Sequence, residues 1–182
     1  MTVRIDCGPC ILRPWARGDE DALLRHADDV RVWRNLRDAF PHPYRREDAR
    51  QWVRYAAETP IAHLAIEVDG EAAGGIGWRR GDDIDRLSAE IGYWLGAAVW
   101  GRGIASAALR AATDFAFAQD ASLVRIFAVP FLHNPASFRV LEKAGYQREG
   151  ILRGSAVKEG RIIDQAMYAI VRDPLPSILP SS

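Results

Sequence analysis

The sequence predicts a mixed α/β fold, and the spacing of its apolar residues is the main reason. Apolar residues recur at spacings of three and four in some segments, which is typical of helices, and form short runs between turn residues in others, which is typical of strands. Leaving aside a short helical piece at Asp29–Leu36, the predicted order is β-α-α-β-β-β-α-β-α-β-β. Its consecutive strands make the sheet too antiparallel for a doubly wound fold. We expect one domain over residues 1–172 and a Pro- and Ser-rich tail at residues 173–182.

The first half of the chain contains a strand, three helical segments and a hairpin. Acidic residues open the first helix, and Pro41 and Pro43 prevent a helix between the second and the third. Asp69-Gly70 is a strong hairpin turn. In order, the predicted elements are strand Cys10–Pro14, helices Asp19–Ala27, Asp29–Leu36 and Glu47–Glu58, and strands His63–Val68 and Glu71–Arg79.

The second half alternates strands with helices and closes with a strand pair. An alanine-rich run predicts the longest helix, and Gly145 follows the next helix as a stop signal. Lys158-Glu159-Gly160 turns the final two strands. The predicted elements are strand Leu87–Leu95, helix Gly103–Gln119, strand Leu123–Val129, helix Asn134–Ala144, and strands Tyr146–Arg153 and Arg161–Arg172.

The composition is that of an ordinary globular protein. Apolar residues make up 48% and charged residues 26% of the 182 residues, which excludes a disordered chain. Lys and Arg together number 24, as do Asp and Glu, so the formal net charge is zero. Proteins that bind nucleic acids or acidic membranes carry an excess of positive charge, so we expect neither partner.

Two cysteines near the start, Cys7 and Cys10, have the spacing of half a zinc site. No second Cys or His pair completes that site, so we expect no metal and reduced thiols in a cytoplasmic chain. No apolar run approaches the roughly 18 residues of a membrane-spanning helix. Arg4 and Asp6 stand where a signal peptide would be apolar, so we expect no such peptide.

The most informative segment runs from Glu90 to Ser106, where a strand leads into a glycine-rich turn that opens a helix. Such a turn directs unpaired backbone N–H groups and the positive end of the helix dipole at one spot. Gly101 and Gly103 keep side chains away from that spot, so a phosphate or pyrophosphate is the natural ligand. The alternative is a glycine-softened helix start that binds nothing.

Two common phosphate-binding motifs do not fit this turn. A Walker A loop needs Gly-Lys-Ser/Thr, whereas Arg102 is followed by Gly103. A dinucleotide-binding turn needs a third glycine where Ser106 stands, and its second strand should end in an acidic residue. The next predicted strand instead ends in Ala-Val-Pro.

A second motif, at residues 133–150, contains N-x-x-S-x-x-x-L-E-K-x-G-Y. With E-I-G-Y-W-L and W-G-R-G-I-A, it resembles the GNAT superfamily of acetyl-CoA-dependent N-acetyltransferases. The resemblance covers about residues 11–170 and is strongest to the RimJ/RimL-type branch, which acetylates the N-terminal amine of ribosomal proteins. Trp100 departs from the Gln or Arg that usually begins the superfamily's turn, although an aromatic residue is common there in this branch.

The resemblance implies a fold and a site for acetyl-CoA. The fold would be a twisted, mostly antiparallel seven-stranded sheet flanked by helices, with a V-shaped cleft between two central parallel strands. The implied contacts are the coenzyme A pyrophosphate with backbone amides of Arg102, Gly103, Ile104, Ala105 and Ser106, and the pantetheine arm with Tyr93, Trp94, Leu95 and Asn134. The strand residues would hold the arm like an added strand.

Acetyl transfer needs a neutral amine and a proton for the leaving thiolate. Deprotonation at pH 7 costs about 1 kcal/mol for an α-amine and about 4.6 kcal/mol for a lysine, so an enzyme for N-termini can use a modest base. Glu90 is the candidate base, and a solvated or paired glutamate on a strand is the alternative. Ser137 is the candidate acid, carried over from N-x-x-S. It also stands at the third position of a helix capped by Asn134, so it could satisfy only a backbone group. Tyr146 is a rival acid, although its position favours the core.

The acceptor side is expected in the early helices, where an aromatic and basic cluster precedes the prolines. The cluster consists of Trp33, Arg34, Arg37, Phe40 and Tyr44. In the family this region is the variable wall over the substrate groove, and a helix face with solvated arginines is the alternative. Asp164 matches a weaker family pattern, G-x-x-x-D-x-x-x-Y, and either lines that groove or makes a structural pair.

The predicted function is transfer of the acetyl group of acetyl-CoA to a protein N-terminal amine, by direct attack in a ternary complex. The first alternative is a small-molecule amine such as an antibiotic or a polyamine, although a basic wall disfavours a polyamine. The second is a non-catalytic acyl-CoA-binding regulatory module, which Glu90 and Ser137 disfavour. Six tryptophans and the family's habit of dimerising lead us to expect a homodimer.

Overall fold

A computed structural model describes residues 3–173 and residue 175, and its strands form a single mixed sheet. The strands are β1 (Ile5–Asp6), β2 (Ile11–Pro14), β3 (His63–Val68), β4 (Glu71–Arg80), β5 (Ser88–Leu95), β6 (Arg125–Ala128), β7 (Gln147–Lys158) and β8 (Arg161–Val171). The helices are α1 (Glu20–Ala27), α2 (Val30–Trp33), α3 (Arg46–Glu58), α4 (Ile104–Gln119) and α5 (Pro135–Lys143). The sheet order is β1-β2-β3-β4-β5-β6-β8-β7, and only β5 and β6 run parallel among these neighbours.

The structure confirms the predicted α/β class and the mostly antiparallel sheet, with one more strand than the seven expected. The additional strand β1 pairs with β2 across a turn in which Cys7 N–H donates to Cys10 C=O at 2.9 Å. A strand of two residues is too short to leave a legible apolar pattern. Most of the predicted tail at residues 173–182 lies outside the described residues.

Two element boundaries also differ from the prediction. The helix expected over Asp29–Leu36 is regular only in α2, because Asn35 N–H and Leu36 N–H donate three residues back and tighten the chain into turns. The strand expected to end at Arg153 continues to Lys158, with register shifts along the β7–β8 pair. This longer hairpin brings its tip toward the early helices.

The sheet separates two hydrophobic cores, one on each of its faces. The larger core packs α4 and α5 on one face, and the smaller core packs α1 and α3 on the other. Leu64 and Ile66 belong to the larger core and Ala65 to the smaller, as the alternation of side chains along a strand requires. Within the described residues, no helix is long and apolar enough to cross a membrane.

Candidate active site

The sheet opens between its two parallel strands. β5 and β6 pair as far as Glu90 and Phe127. β5 then continues to Leu95, whereas the chain after β6 joins β8, where Ala166 N–H donates to Pro130 C=O at 2.9 Å. The strands therefore part just after Glu90 and leave a cleft of about 1580 Å³, at the place where the V-shaped opening was predicted.

One edge of β5 has no neighbouring strand along this opening. Gly96 N–H donates to Ala73 C=O at 2.8 Å, so the peptide groups of Gly96 and of Trp94, two residues earlier, face β4. The peptide groups of Tyr93 and Leu95 face the opening instead. β4 already uses the main chain of Trp94, so of the three strand residues predicted to hold the pantetheine arm, Tyr93 and Leu95 have peptide groups that face the opening.

The glycine turn, residues 101–103, presents a row of unpaired donors. Among the described residues, no protein acceptor meets any of the six backbone N–H groups from Gly101 to Ser106. Gly101 and Gly103 have φ angles of 78° and 76°, which side chains rarely tolerate, and a Cβ on either would project into open space. Since α4 begins at Ile104, its positive end faces the same place, an arrangement that favours an anion over a neutral or cationic group.

The side chain of Arg102 points away from the cleft, and that of Trp100 supports its wall. Arg102 is not among the residues that line the cleft, because its guanidinium pairs with Asp69 Oδ2 at 3.2 Å on the surface. Only its backbone N–H remains for the predicted contact. Trp100 Nε1–H donates to Leu95 C=O at 2.7 Å, so this unusual residue ties the turn to the end of β5.

Ser137 meets a tyrosine at the cleft. Its Oγ lies 2.7 Å from Tyr93 Oη, while its N–H donates to Asn134 Oδ1 at 3.3 Å. Asn134 is thus the helix cap that the sequence predicted. Because its side chain satisfies the Ser137 N–H, the Ser137 hydroxyl is not needed for capping and can contact Tyr93. Burial raises the pKa of the Tyr93 phenol, against the opposing effect of its contact with Ser137. The phenol therefore stays protonated near neutral pH, and the pair holds a proton at the cleft.

Sequence reasoning assigned Tyr93 only a backbone role and missed its side chain. A signal was present, because side chains alternate along a strand and Tyr93 stands three residues after Glu90. The two side chains must then point to opposite faces of β5. That separation places the candidate base on the side of the early helices and the Tyr93–Ser137 pair on the side of α5.

Glu90 is the last residue of β5 that pairs with β6, and its side chain is 22% exposed. The Arg37 guanidinium forms an ion pair with its Oε1. Arg79, the cross-strand neighbour of Glu90 on β4, places Nη2 3.8 Å from Oε2. The candidate base is therefore half-buried and paired with two arginines, and this pairing does not exclude a role in proton transfer.

The wall facing Glu90 is aromatic as well as basic. Phe40 lies with its ring centroid 5.1 Å from that of Tyr44 and 5.5 Å from that of Trp94. Trp94 in turn packs above Gly75, where an added Cβ would come within 2.8 Å of its Nε1. All four residues line the cleft, together with Arg34 and Arg37. Much of the predicted acceptor cluster is thus brought together.

Two predicted acceptor residues lie elsewhere. Trp33 is absent from the lining of the cleft, because its ring stacks on His42 and covers a lysine of the β7–β8 turn, Lys158. Asp164 is also absent from the lining, and its Oδ1 accepts from Gly154 N–H at 2.8 Å where β7 is irregular. Tyr146, the rival acid, is buried in the core, with Oη 2.7 Å from Thr113 Oγ1.

Comparison with known proteins gives consistent matches. Residues 10–147 match the family described as "Acetyltransferase (GNAT) domain". A Bacillus licheniformis protein named "Uncharacterized N-acetyltransferase p20" is 33% identical over 165 residues, 88% of this chain and 92% of that protein. The ribosomal-protein-serine acetyltransferase of Escherichia coli (strain K12) is 32% identical over 105 residues, 58% of each chain.

The solved structures agree with the sequence matches. Mycobacterium smegmatis RimJ in complex with CoA-disulfide is similar with a TM-score of 0.76 and 27% identity, covering 97% of this chain and 88% of that one. The family match over residues 10–147 includes the parallel strands β5 and β6 and the glycine turn. The second motif, at residues 133–150, reaches its end. The chain is therefore a member of the GNAT acetyltransferase family.

Proposed function

We propose that this N-acetyltransferase transfers the acetyl group of acetyl-CoA to the N-terminal α-amine of a protein or peptide. The observation that carries the proposal is the arrangement around β5, which has a candidate base on one face, a hydroxyl pair on the other and a free backbone edge between them. A relative that acts on a ribosomal protein and a similar structure that holds a coenzyme A disulfide support it.

The free edge and the glycine turn would position acetyl-CoA. The pantetheine arm would lie along β5 and bond to Tyr93 C=O and Leu95 N–H, which face the opening, since Leu95 C=O already accepts from Trp100 Nε1–H. The pyrophosphate would accept from the unpaired N–H groups between Gly101 and Ser106. The thioester would then lie near Glu90, where the two strands part.

The reaction would use groups on both faces of β5. Glu90 accepts a proton from the α-amine, directly or through water, as the amine nitrogen attacks the thioester carbon. Tyr93 N–H, on the free edge, faces the negative charge that develops on the carbonyl oxygen. As the C–S bond breaks, the Ser137 hydroxyl, 2.7 Å from the Tyr93 phenol, gives a proton to the leaving thiolate. When the products leave, the hydroxyl pair regains a proton from solvent, and Glu90 releases to solvent the proton that it took from the amine.

The acceptor assignment follows from the amine's pKa and the charge of the wall. An α-amine needs only about 1 kcal/mol to lose its proton at pH 7, which suits a single carboxylate without a histidine relay. A polyamine would meet Arg34, Arg37 and Arg79, whose charges repel it.

Thiol release with a panel of amines tests this function. Peptides with free N-termini, the same peptides blocked at the N-terminus, spermidine and an aminoglycoside are each mixed with protein and acetyl-CoA. We expect release only with the free peptides, and a mass shift located on the α-amine. Release with spermidine or the aminoglycoside alone would favour the small-molecule alternative. Binding of acetyl-CoA without release from any amine would favour a non-catalytic module.

A further inference from the structure

Glu90, the candidate base, forms an ion pair with the wall that should receive the acceptor. Arg37 belongs to the segment between α2 and α3, residues 34–45, which lines the cleft opposite Glu90. Its guanidinium makes an ion pair with Glu90 Oε1 although its side chain is 65% exposed. An exposed side chain on a loop can turn away at little cost, so this ion pair is exchangeable.

Positive charge exceeds negative charge on this side of the cleft. On the side of the early helices and β4, the cationic side chains in the lining are Arg31, Arg34, Arg37 and Arg79, and the acidic ones are Glu90 and Asp48. Arg31 is already paired with Asp29, its Nη2 lying 2.5 Å from Asp29 Oδ2. Asp48 is occupied, because its Oδ2 accepts from Arg45 N–H at 2.7 Å as part of the N-terminal cap of α3. Arg34 has no acidic partner within residues 3–173. One available carboxylate therefore faces three guanidinium groups.

This arrangement restricts the acceptors that can release the base. While Arg37 donates to Glu90, it occupies a carboxylate oxygen that the incoming amine would need. An amine brings no negative charge that could draw Arg37 away. An anionic group on the acceptor can do so, because it offers the guanidinium an equivalent charge-assisted hydrogen bond.

We infer that the acceptor carries an anionic group close to its amine, and that Arg37 passes from Glu90 to that group when the acceptor binds. In a peptide the group is an Asp or Glu side chain at the second or third position. Arg37 is then a specificity-determining residue that couples recognition of the acceptor to release of the base. This inference rests on the proposed function, since it assumes that Glu90 is the base and that the acceptor is a peptide N-terminus.

The test compares two hexapeptides, one with Asp and Glu at the second and third positions and the other with Asn and Gln there. We expect the acidic peptide to have the higher kcat/KM, by roughly tenfold or more at low salt, and the difference to shrink as salt screens the charges. Arg37→Gln should lower kcat/KM for the acidic peptide, because it removes the cation that binds the peptide's carboxylates. It should raise kcat/KM for the neutral peptide, because it also releases Glu90. The preference should then nearly vanish.

A charge-matched control is Arg54→Gln, which removes an exposed arginine of α3 that does not line the cleft and lies 3.6 Å from Glu47. It should keep the full preference. Thermal melting and acetyl-CoA binding confirm that both variants are folded. Equal rates for the two peptides in the wild type, or an equal loss for both in Arg37→Gln, would overturn this inference and leave the proposed function intact. If neither peptide is acetylated while acetyl-CoA binds, the proposed function itself is overturned, and this inference with it.

Discussion

The Lys158 ammonium lies 3.9 Å from the centroid of the Trp33 ring and 2.8 Å from Asp38 Oδ1. Its side chain is only 2% exposed, so a charge at the tip of the β7–β8 hairpin is held between an indole face and a carboxylate of the early segment. Asp38 follows Arg37 directly in the chain. The hairpin thereby fixes the segment that places Arg37 against Glu90, and we assign Lys158 as a positioning residue for the acceptor wall.

Lys158→Met should disturb the acceptor side more than it disturbs stability. Asp38 is 69% exposed, so losing the lysine leaves no buried charge behind, and methionine can still pack on Trp33. We expect the free energy of unfolding to change by less than about 1 kcal/mol. The KM for the acidic peptide should rise roughly 3- to 30-fold, because Arg37 is no longer held in a fixed position.

Steady-state kinetics and thermal melting measure these two effects. The matched control is Arg161→Met, which removes an exposed cation of the same hairpin whose side chain has no ion-pair partner in the described part of the chain. It should change neither quantity. An unchanged peptide KM in Lys158→Met would remove the positioning role.

Gly103→Asp should abolish most acetyl-CoA binding, because it adds a negative charge and a side chain where the phosphates would approach the backbone. Gly103→Asn is the matched control, since asparagine has nearly the same shape, no charge and some tolerance for φ near 76°. Calorimetry should show the Asp variant binding more weakly than the Asn variant, and the difference should narrow with salt. Identical affinities in the two variants would argue against an anion at this turn.

Ser137→Ala should lower kcat and leave acetyl-CoA affinity close to that of the wild type, because the hydroxyl acts mainly as the thiolate leaves. We expect a loss of roughly 10- to 100-fold, since help from a general acid is smaller for a thiolate than for poorer leaving groups. Tyr93→Phe removes the hydroxyl's partner and should cause a smaller loss of kcat.

The control for the tyrosine variant is Tyr146→Phe, which removes a hydroxyl that, among the described residues, bonds to Thr113 Oγ1 alone in the core. It should cost about 1 kcal/mol of stability and leave kcat unchanged. If Tyr93→Phe and Tyr146→Phe behave alike, the Tyr93 hydroxyl has no part in the reaction.

Glu90→Gln should produce a defect that shrinks as the pH rises. The α-amine has a pKa near 7.7–8.0, so below that range its proton must be removed during the reaction, and above it the amine is already neutral. The ratio of wild-type to variant kcat/KM should therefore fall between about pH 7 and pH 9. A ratio that stays constant over this range would leave Glu90 as a residue that positions the acceptor.

The sequence alone determined the local parts of this protein. Helix and strand patterns depend on neighbouring residues, so the fold class and most elements were predicted, and the glycine turn before α4 was recognised from Gly101 and Gly103. The Asn134 cap of α5 was likewise visible, because a cap and the N–H it satisfies lie three residues apart. The two-residue strand β1, the early end of α2 and the full length of β7 were missed, since the hydrogen bonds that set them leave no apolar pattern.

The tertiary structure alone decided which side chains act together. Arg37 and Glu90 are 53 residues apart, Tyr93 and Ser137 are 44 apart, and Lys158 and Asp38 are 120 apart. No periodicity links such positions, because their meeting depends on how the β5–β6 opening and the β7–β8 hairpin place distant segments. The sequence also could not show that Trp33 and Asp164 lie away from the acceptor wall. Trp33 packs on Lys158, and Asp164 accepts a hydrogen bond from Gly154 N–H.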